Sequence, residues 1–291
     1  DTDFGLGYSS TYDENKLAEA MNPPVATPHA AVFRAMLNNS EFKKYFINRY
    51  ADLINTVFQP SSINSVVQEM QDSITYEMPF AWQRWFGYNG VSTWLNNINT
   101  MKTFIYNRPA LARQHINTTF NLKGIVTVNL TASPQGSGEI KINTIVPERL
   151  PWSGMYFNGN PITITAIAKP GYRFLYWKSN TYTGQNTERT LTVNLDHLDT
   201  FTAVFAGNPE TATITISEVN YHSDSTHNSG DWLEVYNYGK NALDISDWHI
   251  TDSNPAHDYI FPTETTIPAN DRLVIAEDIQ LFKSIYPEIS C

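Results

Sequence analysis

The residues best suited to chemistry in this sequence are a few carboxylates. Asp1 and Asp3 offer two hard oxygen ligands of the kind that magnesium takes beside a nucleotide phosphate. The competing reading is a solvated, frayed chain start. A second concentration of oxygen donors runs from His222 to Asp231, where Asp224 and Asp231 could contribute to a calcium site. Calcium wants about six to eight oxygens, and two carboxylates without the D-x-[DN]-x-[DN]-G spacing point rather to a solvated loop. His222 and His227, with no cysteine nearby, are a weaker case for zinc. Six aromatics (Trp152, Tyr156, Phe157, Tyr172, Tyr176 and Trp177) could form a sugar-stacking platform, but their alternation with apolar neighbours favours core positions. No residue is singled out as catalytic. The sequence has no G-x-S-x-G, no H-E-x-x-H and no P-loop, and no spacing marks a glycosidase carboxylate pair.

Composition narrows the classes. The chain has 291 residues, 41% of them apolar and 13% aromatic, enough for two or three domains with cores of their own. No apolar run approaches the roughly eighteen residues of a membrane span, so the chain is expected not to cross a membrane. It opens on Asp1 without a basic or apolar leader, which suggests a start inside a longer protein or after a processed segment. Cys291 is the single cysteine, so no disulfide can form within the chain. Few lysines beside many Asn, Thr and Tyr fit an exported protein. The net charge of −10 is unevenly spread: residues 1–120 hold 9 basic and 10 acidic side chains, 121–208 hold 7 and 5, and 209–291 hold 3 and 14. No segment supplies the basic face that nucleic acid requires. The acidic last segment suits extracellular solubility or divalent cations.

Three stretches must position these residues. Residues 1–120 are expected to be helical. Phe42, Phe46, Tyr50, Leu53 and Val57 recur at helical spacing after Ser40, a candidate N-cap, and Ile63, Val66, Val67, Met70 and Ile74 do so after Pro60, where Ser61 or Ser62 could cap. A third helix carries Val91, Trp94, Leu95, Ile98, Met101 and Phe104, and Pro109 opens a fourth toward Phe120. Near Asn121 the period changes to two, and residues 121–208 are expected to form a β-module in which Ile162 and Ile164 alternate with threonines. Gly207-Asn208-Pro209 reads as a linker. Residues 209–291 form a second β-module, with strands expected at 214–220, 232–236, 243–250 and 273–276. The fold class is α+β: helices, then a small β-module, then a sandwich.

Several strings carry family resemblances. Phe33-Arg34-Ala35-Met36-Leu37, Phe46-Ile47-Asn48-Arg49-Tyr50-Ala51-Asp52-Leu53, Asn55-Thr56-Val57-Phe58, Arg84-Trp85 and Arg108-Pro109 together resemble the C-terminal half of the CotH kinase-like family (spore coat protein H-like). Asp1-Thr2-Asp3 resembles that family's D-x-D stretch. The resemblance implies a kinase-like fold, Mg-ATP as cofactor in the full-length parent, and phosphoryl transfer to protein Ser or Thr. The nucleotide cradle, phosphate-binding lysine and catalytic loop that such chemistry needs are not in the sequence, so the chain is expected to be non-catalytic as it stands and to require no cofactor.

Ile162-Thr163-Ile164-Thr165-Ala166, Pro170-Gly171-Tyr172-Arg173-Phe174 and Thr202-Ala203-Val204-Phe205 resemble divergent internalin B-repeats of bacterial surface proteins. Ile216-Ser217-Glu218-Val219-Asn220-Tyr221, Asp231-Trp232-Leu233-Glu234-Val235-Tyr236-Asn237 and Leu243-Asp244-Ile245-Ser246-Asp247-Trp248 resemble the lamin tail domain, an immunoglobulin-like sandwich. That resemblance implies one or two further strands after Cys291. Together these point to a fragment of a secreted or cell-surface bacterial CotH-like protein. Its β-modules would space or bind a partner protein or polysaccharide. The alternative is the C-lobe and targeting modules of an atypical ATP-dependent Ser/Thr kinase, and whether the chain is an enzyme stays open between them.

Overall fold

The computed structural model describes residues 6–7, 10–22, 27–85, 90–180, 185–207, 213–223, 226–246, 248–252, 257–262 and 264–289. The helices of the first part are α1 (Lys16–Met21), α2 (Pro28–Met36), α3 (Ser40–Asn55), α4 (Pro60–Ile74), α5 (Met78–Trp85) and α6 (Gly90–Thr119). Asn39 rather than Ser40 caps α3, its side chain accepting the N–H groups of Glu41 and Phe42. Pro60 sits in the first turn of α4, where its missing N–H is no loss, and Gln59 rather than a serine occupies the cap position. The two helices expected on either side of Pro109 are one, α6. Pro109 removes a backbone bond there, but Ile98, Ile105, Ala112 and Ile116 form one buried face running through it, and that packing holds the helix together.

The apolar stripes differ in detail from their periodicity. On α3 the most deeply buried apolar residues are Ile47, Ala51 and Ile54, while Phe42, Phe46, Tyr50 and Leu53 are half-buried and Val57 is exposed. On α4 only Val67 is buried, and Val66, Met70 and Ile74 lie open. Spacing fixes which residues share a face but not what covers it.

The β-module comprises β1 (Ile125–Ser133), β2 (Gly138–Ile142), β3 (Trp152–Phe157), β4 (Ile162–Ala168), β5 (Tyr172–Lys178), β6 (Thr190–Val193) and β7 (Asp199–Gly207). One sheet runs β3-β1-β7-β5, with β1 and β7 parallel, and the other runs β2-β4-β6. In β4, Ile162, Ile164, Ala166 and Ala168 point inward and are buried, as two-residue alternation requires. This core does not stop at the sheets. Ile47, Ala51, Ile116 and Phe120 of the helical part belong to the same cluster as Val126, Val128, Tyr156 and Phe157.

The last part comprises β8 (Ile214–Asn220), β9 (Trp232–Asn237), β10 (Leu243–Asp244), β11 (His249–Thr251), β12 (Asp258–Ile260), β13 (Thr266–Ile267), β14 (Arg272–Ala276) and α7 (Ile279–Ile285). A sheet β14-β9-β8 faces the pairs β10–β13 and β11–β12 across a separate core of Val235, Leu243, Ile245, Phe261 and Ile267. The strand expected over 243–250 is two short ones, because Trp248 N–H turns back to the Ile245 carbonyl at 3.0 Å. On the outer side α7, capped by Asp278, lays Phe282 edge-on against Trp232 with 5.7 Å between ring centroids. The chain is therefore α+β, with helices first and several β-sheets after them.

Candidate functional site

Of the residues picked out for metal binding, Asp1, Asp3 and Asp224 lie outside the described residues. Asp231 is exposed, and its carbonyl accepts the Glu277 N–H at 3.0 Å. The described residues on either side of Asp224 bond one another. Asn220 Nδ2 donates to Ser223 Oγ and to the Gly230 carbonyl, both at 2.8 Å, and Trp232 Nε1 donates to the buried Ser229 Oγ at 3.0 Å. His222 and His227 are both exposed. Among the described residues no group of three or more His, Cys, Asp or Glu is gathered so as to hold a metal ion. The aromatic platform does not form as a surface. Tyr156, Phe157 and Trp177 are fully buried, and Trp152 and Tyr172 pack against the same core.

The most tightly built polar cluster lies where α3 meets the β-module. Asn48, Asp52 and Asn55 are spaced four and then three residues apart, so a helix brings them to one face, and all three are buried. Asp52 Oδ2 accepts from the Thr144 N–H at 3.0 Å and its hydroxyl at 2.7 Å, while Oδ1 accepts from Tyr156 Oη at 2.8 Å and Asn143 Nδ2 at 3.3 Å. Burial raises the Asp52 carboxyl above its ordinary range, and these four donors pull the other way without cancelling it. Burial, with the Asp52 charge beside it, pushes the Tyr156 phenol well above its ordinary value.

Asn55 treats the outermost strand β3 as a second strand would. Its Nδ2 donates to the Met155 carbonyl at 2.9 Å, and its Oδ1 accepts the Met155 N–H at 3.0 Å and Arg113 Nη2 at 2.9 Å. Asn48 Nδ2 donates to the Pro161 carbonyl at 2.8 Å, and its Oδ1 accepts Asn160 Nδ2 at 2.8 Å. Arg49 Nη1 donates to Thr144 Oγ1 at 2.8 Å. Every carboxylate oxygen here is committed to a protein donor, so the cluster joins the two parts and has no lone pair free for a substrate. The sequence reading missed it, although Asn48, Asp52 and Asn55 sit at helical spacing in plain view.

On another side of α3 a cavity of about 180 Å³ opens between α3, α4 and α6, lined by Tyr50, Leu53, Ile54, Phe58, Ile105 and Ala112 among others. Its walls are apolar and suit no phosphate. Arg108, at its margin, donates through Nη1 to the Tyr12 carbonyl at 2.8 Å and the Glu14 carbonyl at 2.7 Å, fastening the segment before α1 to α6. A cleft of about 380 Å³ is lined by Glu139, Lys141, His249, Asp252 and Asp258 among others. His249 Nδ1 lies 2.6 Å from Asp258 Oδ1, and its Nε2 is buried without a hydrogen-bond partner among the described residues.

Family models match this layout in series: CotH kinase protein over residues 1–111, the divergent InlB B-repeat domain over 128–209, and the lamin tail domain over 208–284. The chain is thus similar, in order, to a CotH-type helical region, a B-repeat and a lamin tail domain. No curated protein is similar enough to count as a relative. A crystal structure of a DUF4876 family protein from Bacteroides thetaiotaomicron VPI-5482 is similar over 52% of this chain, at 12% identity and a TM-score of 0.18. The match spans 48% of that protein's chain. The joint at Asp52 thus ties the CotH-type region to the B-repeat, and the lamin tail domain keeps its own core.

Proposed function

We propose that this chain is a non-catalytic part of an exported bacterial surface protein. In this reading the CotH-type helices are a base, and the B-repeat and lamin tail domain space or bind a partner protein or polysaccharide. The observation that carries it is the use made of Asp52. The buried carboxylate of the helical region is filled with four hydrogen bonds to the B-repeat, leaving it structural. The apolar lining of the neighbouring cavity is equally unsuited to nucleotide phosphates. The acidic balance of residues 209–291 suits a solvated extracellular module and turns nucleic acid away.

The second reading, the C-lobe and targeting modules of an ATP-dependent protein kinase, draws on the CotH kinase match over residues 1–111. Calorimetric titration with ATP and magnesium separates the two, run on the chain and on an Asp1→Ala/Asp3→Ala variant. We expect a flat titration for both. Saturable binding that the variant loses would move the kinase reading to the front.

A further inference from the structure

The four-stranded sheet of the B-repeat has two unlike sides. The inner side carries Val128, Leu130, Phe201 and Ala203 into the shared core. Two-residue alternation turns Thr127, Asn129 and Thr131 of β1, and Thr200, Thr202 and Val204 of β7, to the outer side. On β5 the register shifts between Phe174 and Tyr176. Phe174 and Trp177 stay on the core, while Arg173, Tyr176 and Lys178 pair with Ala206, Val204 and Thr202 and so share the outer side. Lys178 Nζ lies 5.8 Å from the Tyr176 ring centroid, as neighbours on one side would. Of the six aromatics considered for sugar stacking, Tyr176 is therefore the one turned away from the core.

This outer side is polar and positively charged. Thr131 Oγ1 donates to Thr202 Oγ1 at 2.8 Å, and Asn129 Nδ2 donates to Thr200 Oγ1 at 3.3 Å, across the parallel pair. A hydroxyl has one hydrogen and two lone pairs, so Thr200 and Thr202, each accepting here, keep their own hydrogens to give. In register, Thr202 stands between Thr131 and Lys178, and Asn129 between Ser153 and Thr200. Arg173 and Lys178 are exposed. Asp199 is the sole carboxylate in the four strands. It is buried opposite Val128 and accepts the N–H groups of Asn180 at 2.9 Å and Thr200 at 2.7 Å, so no negative side chain stands on the outer side of these strands.

Charge and donors together decide what fits. Rows of hydroxyl and amide groups match a ligand that is itself hydroxylated, and the two cations of β5 match one that is anionic. Two cations are too few for nucleic acid, whose affinity comes from many neutralised phosphates. A protein partner would want a cluster of apolar and aromatic anchors, whereas β1, β7 and β5 turn a single aromatic outward.

We propose that the outer side of β1, β7 and β5 is a binding face for an anionic polysaccharide. Hydroxyls of the glycan exchange hydrogen bonds with Asn129, Thr200 and Thr202, its anionic groups meet Arg173 and Lys178, and one sugar ring packs on Tyr176. This rests on reading the β-modules as partner-binding units, and it names the ligand's chemistry.

The test is calorimetric titration of the whole chain with a galacturonate hexasaccharide, beside the same hexasaccharide with its carboxylates methyl-esterified. The acid is expected to bind saturably, and at least about tenfold more tightly than the ester. Arg173→Gln/Lys178→Gln should weaken it about tenfold, and Tyr176→Thr, which keeps a strand former on the outer side, about fivefold. Lys141→Gln/Lys169→Gln removes two cations from β2 and the residue after β4, in the other sheet, and should leave the affinity unchanged. Equal affinity for acid and ester, no binding, or the same loss from both pairs of substitutions overturns the proposal. So does a ten-nucleotide single strand of DNA that binds more tightly than the hexasaccharide and loses affinity in Arg173→Gln/Lys178→Gln, since nucleic acid would then own the face. An ATP titration that saturates would undo the non-catalytic reading and leave the glycan result standing. Failed glycan binding beside a flat ATP titration would sink this face alone.

Discussion

Tyr156 donates its hydroxyl to the Asp52 carboxylate at 2.8 Å across the joint between α3 and β3, and both side chains are fully buried. Removing one member of a buried network leaves its partners desolvated and unpaired, which costs more than the net worth of the bond. Asp52→Asn keeps the shape but exchanges an acceptor oxygen for a donor amide, so two of four donors lose their acceptor. We expect a loss of about 2–4 kcal/mol in urea unfolding of the part containing residues 1–207. Tyr156→Phe removes one bond to a charged group and should cost about 1.5–3 kcal/mol. If both substitutions leave the urea midpoint where it was, the joint contributes nothing to stability.

The same pair predicts a pH dependence. Burial lifts the folded-state pKa of Asp52 above its ordinary value of 3.8. Below 3.8 both states hold the proton; between 3.8 and the folded value the unfolded chain releases it while the folded chain keeps it. Stability from this group therefore falls as pH rises through that window and is level above it. Asp52→Asn cannot titrate, so the difference in urea midpoint between the parent and Asp52→Asn should shrink across the window. A constant difference would mean that Asp52 has the same affinity for protons folded and unfolded.

His115 on α6 should act in the opposite direction. Burial, followed by the Arg108 charge, holds its pKa below the ordinary 6.5, and its Nδ1 is buried without a hydrogen-bond partner among the described residues. As pH falls from 6.5 the unfolded chain takes a proton before the folded one does, so stability present above 6.5 is lost on acidification through the folded pKa. His115→Gln should remove this slope while leaving the alkaline baseline flat. A parent chain whose melting temperature does not move between pH 7 and the folded pKa would count against a depressed His115.

How much of this was legible depended on what covers each face. The change from helical to strand period near Asn121 and the Ile-Thr alternation of β4 were plain, because in both the sequence pattern and the burial coincide. The face of α4 bearing Val66, Met70 and Ile74 reads identically to a core stripe, yet it is exposed, since periodicity records a shared face and says nothing of a partner. Asn48, Asp52 and Asn55 failed in the reverse sense. Polar residues at helical spacing read as a solvent face, and only the arrival of Tyr156, 104 residues after Asp52 along the chain, turns that face inward. Of the carboxylates first singled out, Asp231 is placed by the structure as an exposed residue whose main chain, rather than its side chain, is in use.

The loop before Asp231 predicts an indifference to calcium. Asn220, Ser223, Ser229 and Trp232 already bond one another and the Gly230 carbonyl, so these described residues are held by protein donors. Millimolar calcium is expected to leave the melting temperature unchanged. A rise that a chelator reverses, and that Asp231→Asn abolishes, would establish a cation site there.

The two core clusters predict how the chain comes apart. Ile47, Ala51, Ile116 and Phe120 lie in one cluster with Val126, Val128, Tyr156 and Phe157, whereas Val235, Leu243, Ile245, Phe261 and Ile267 form another. A shared core unfolds as a unit because neither side keeps its packing once the other leaves. Calorimetry should therefore show two transitions, one for the helices with the B-repeat and one for the lamin tail domain. Val235→Ala, which deletes two methyl groups at a site 3% exposed, should lower only the second, by about 2–3 kcal/mol. Asp52→Asn should lower only the first. Residues 1–120 expressed alone would expose Ile47, Ile116 and Phe120 and lose the partners of Asp52, so we expect them to aggregate or stay unfolded, while residues 1–207 fold. A folded, cooperative 1–120 fragment, or a single transition shifted alike by both substitutions, would show that the boundary between independent units lies elsewhere.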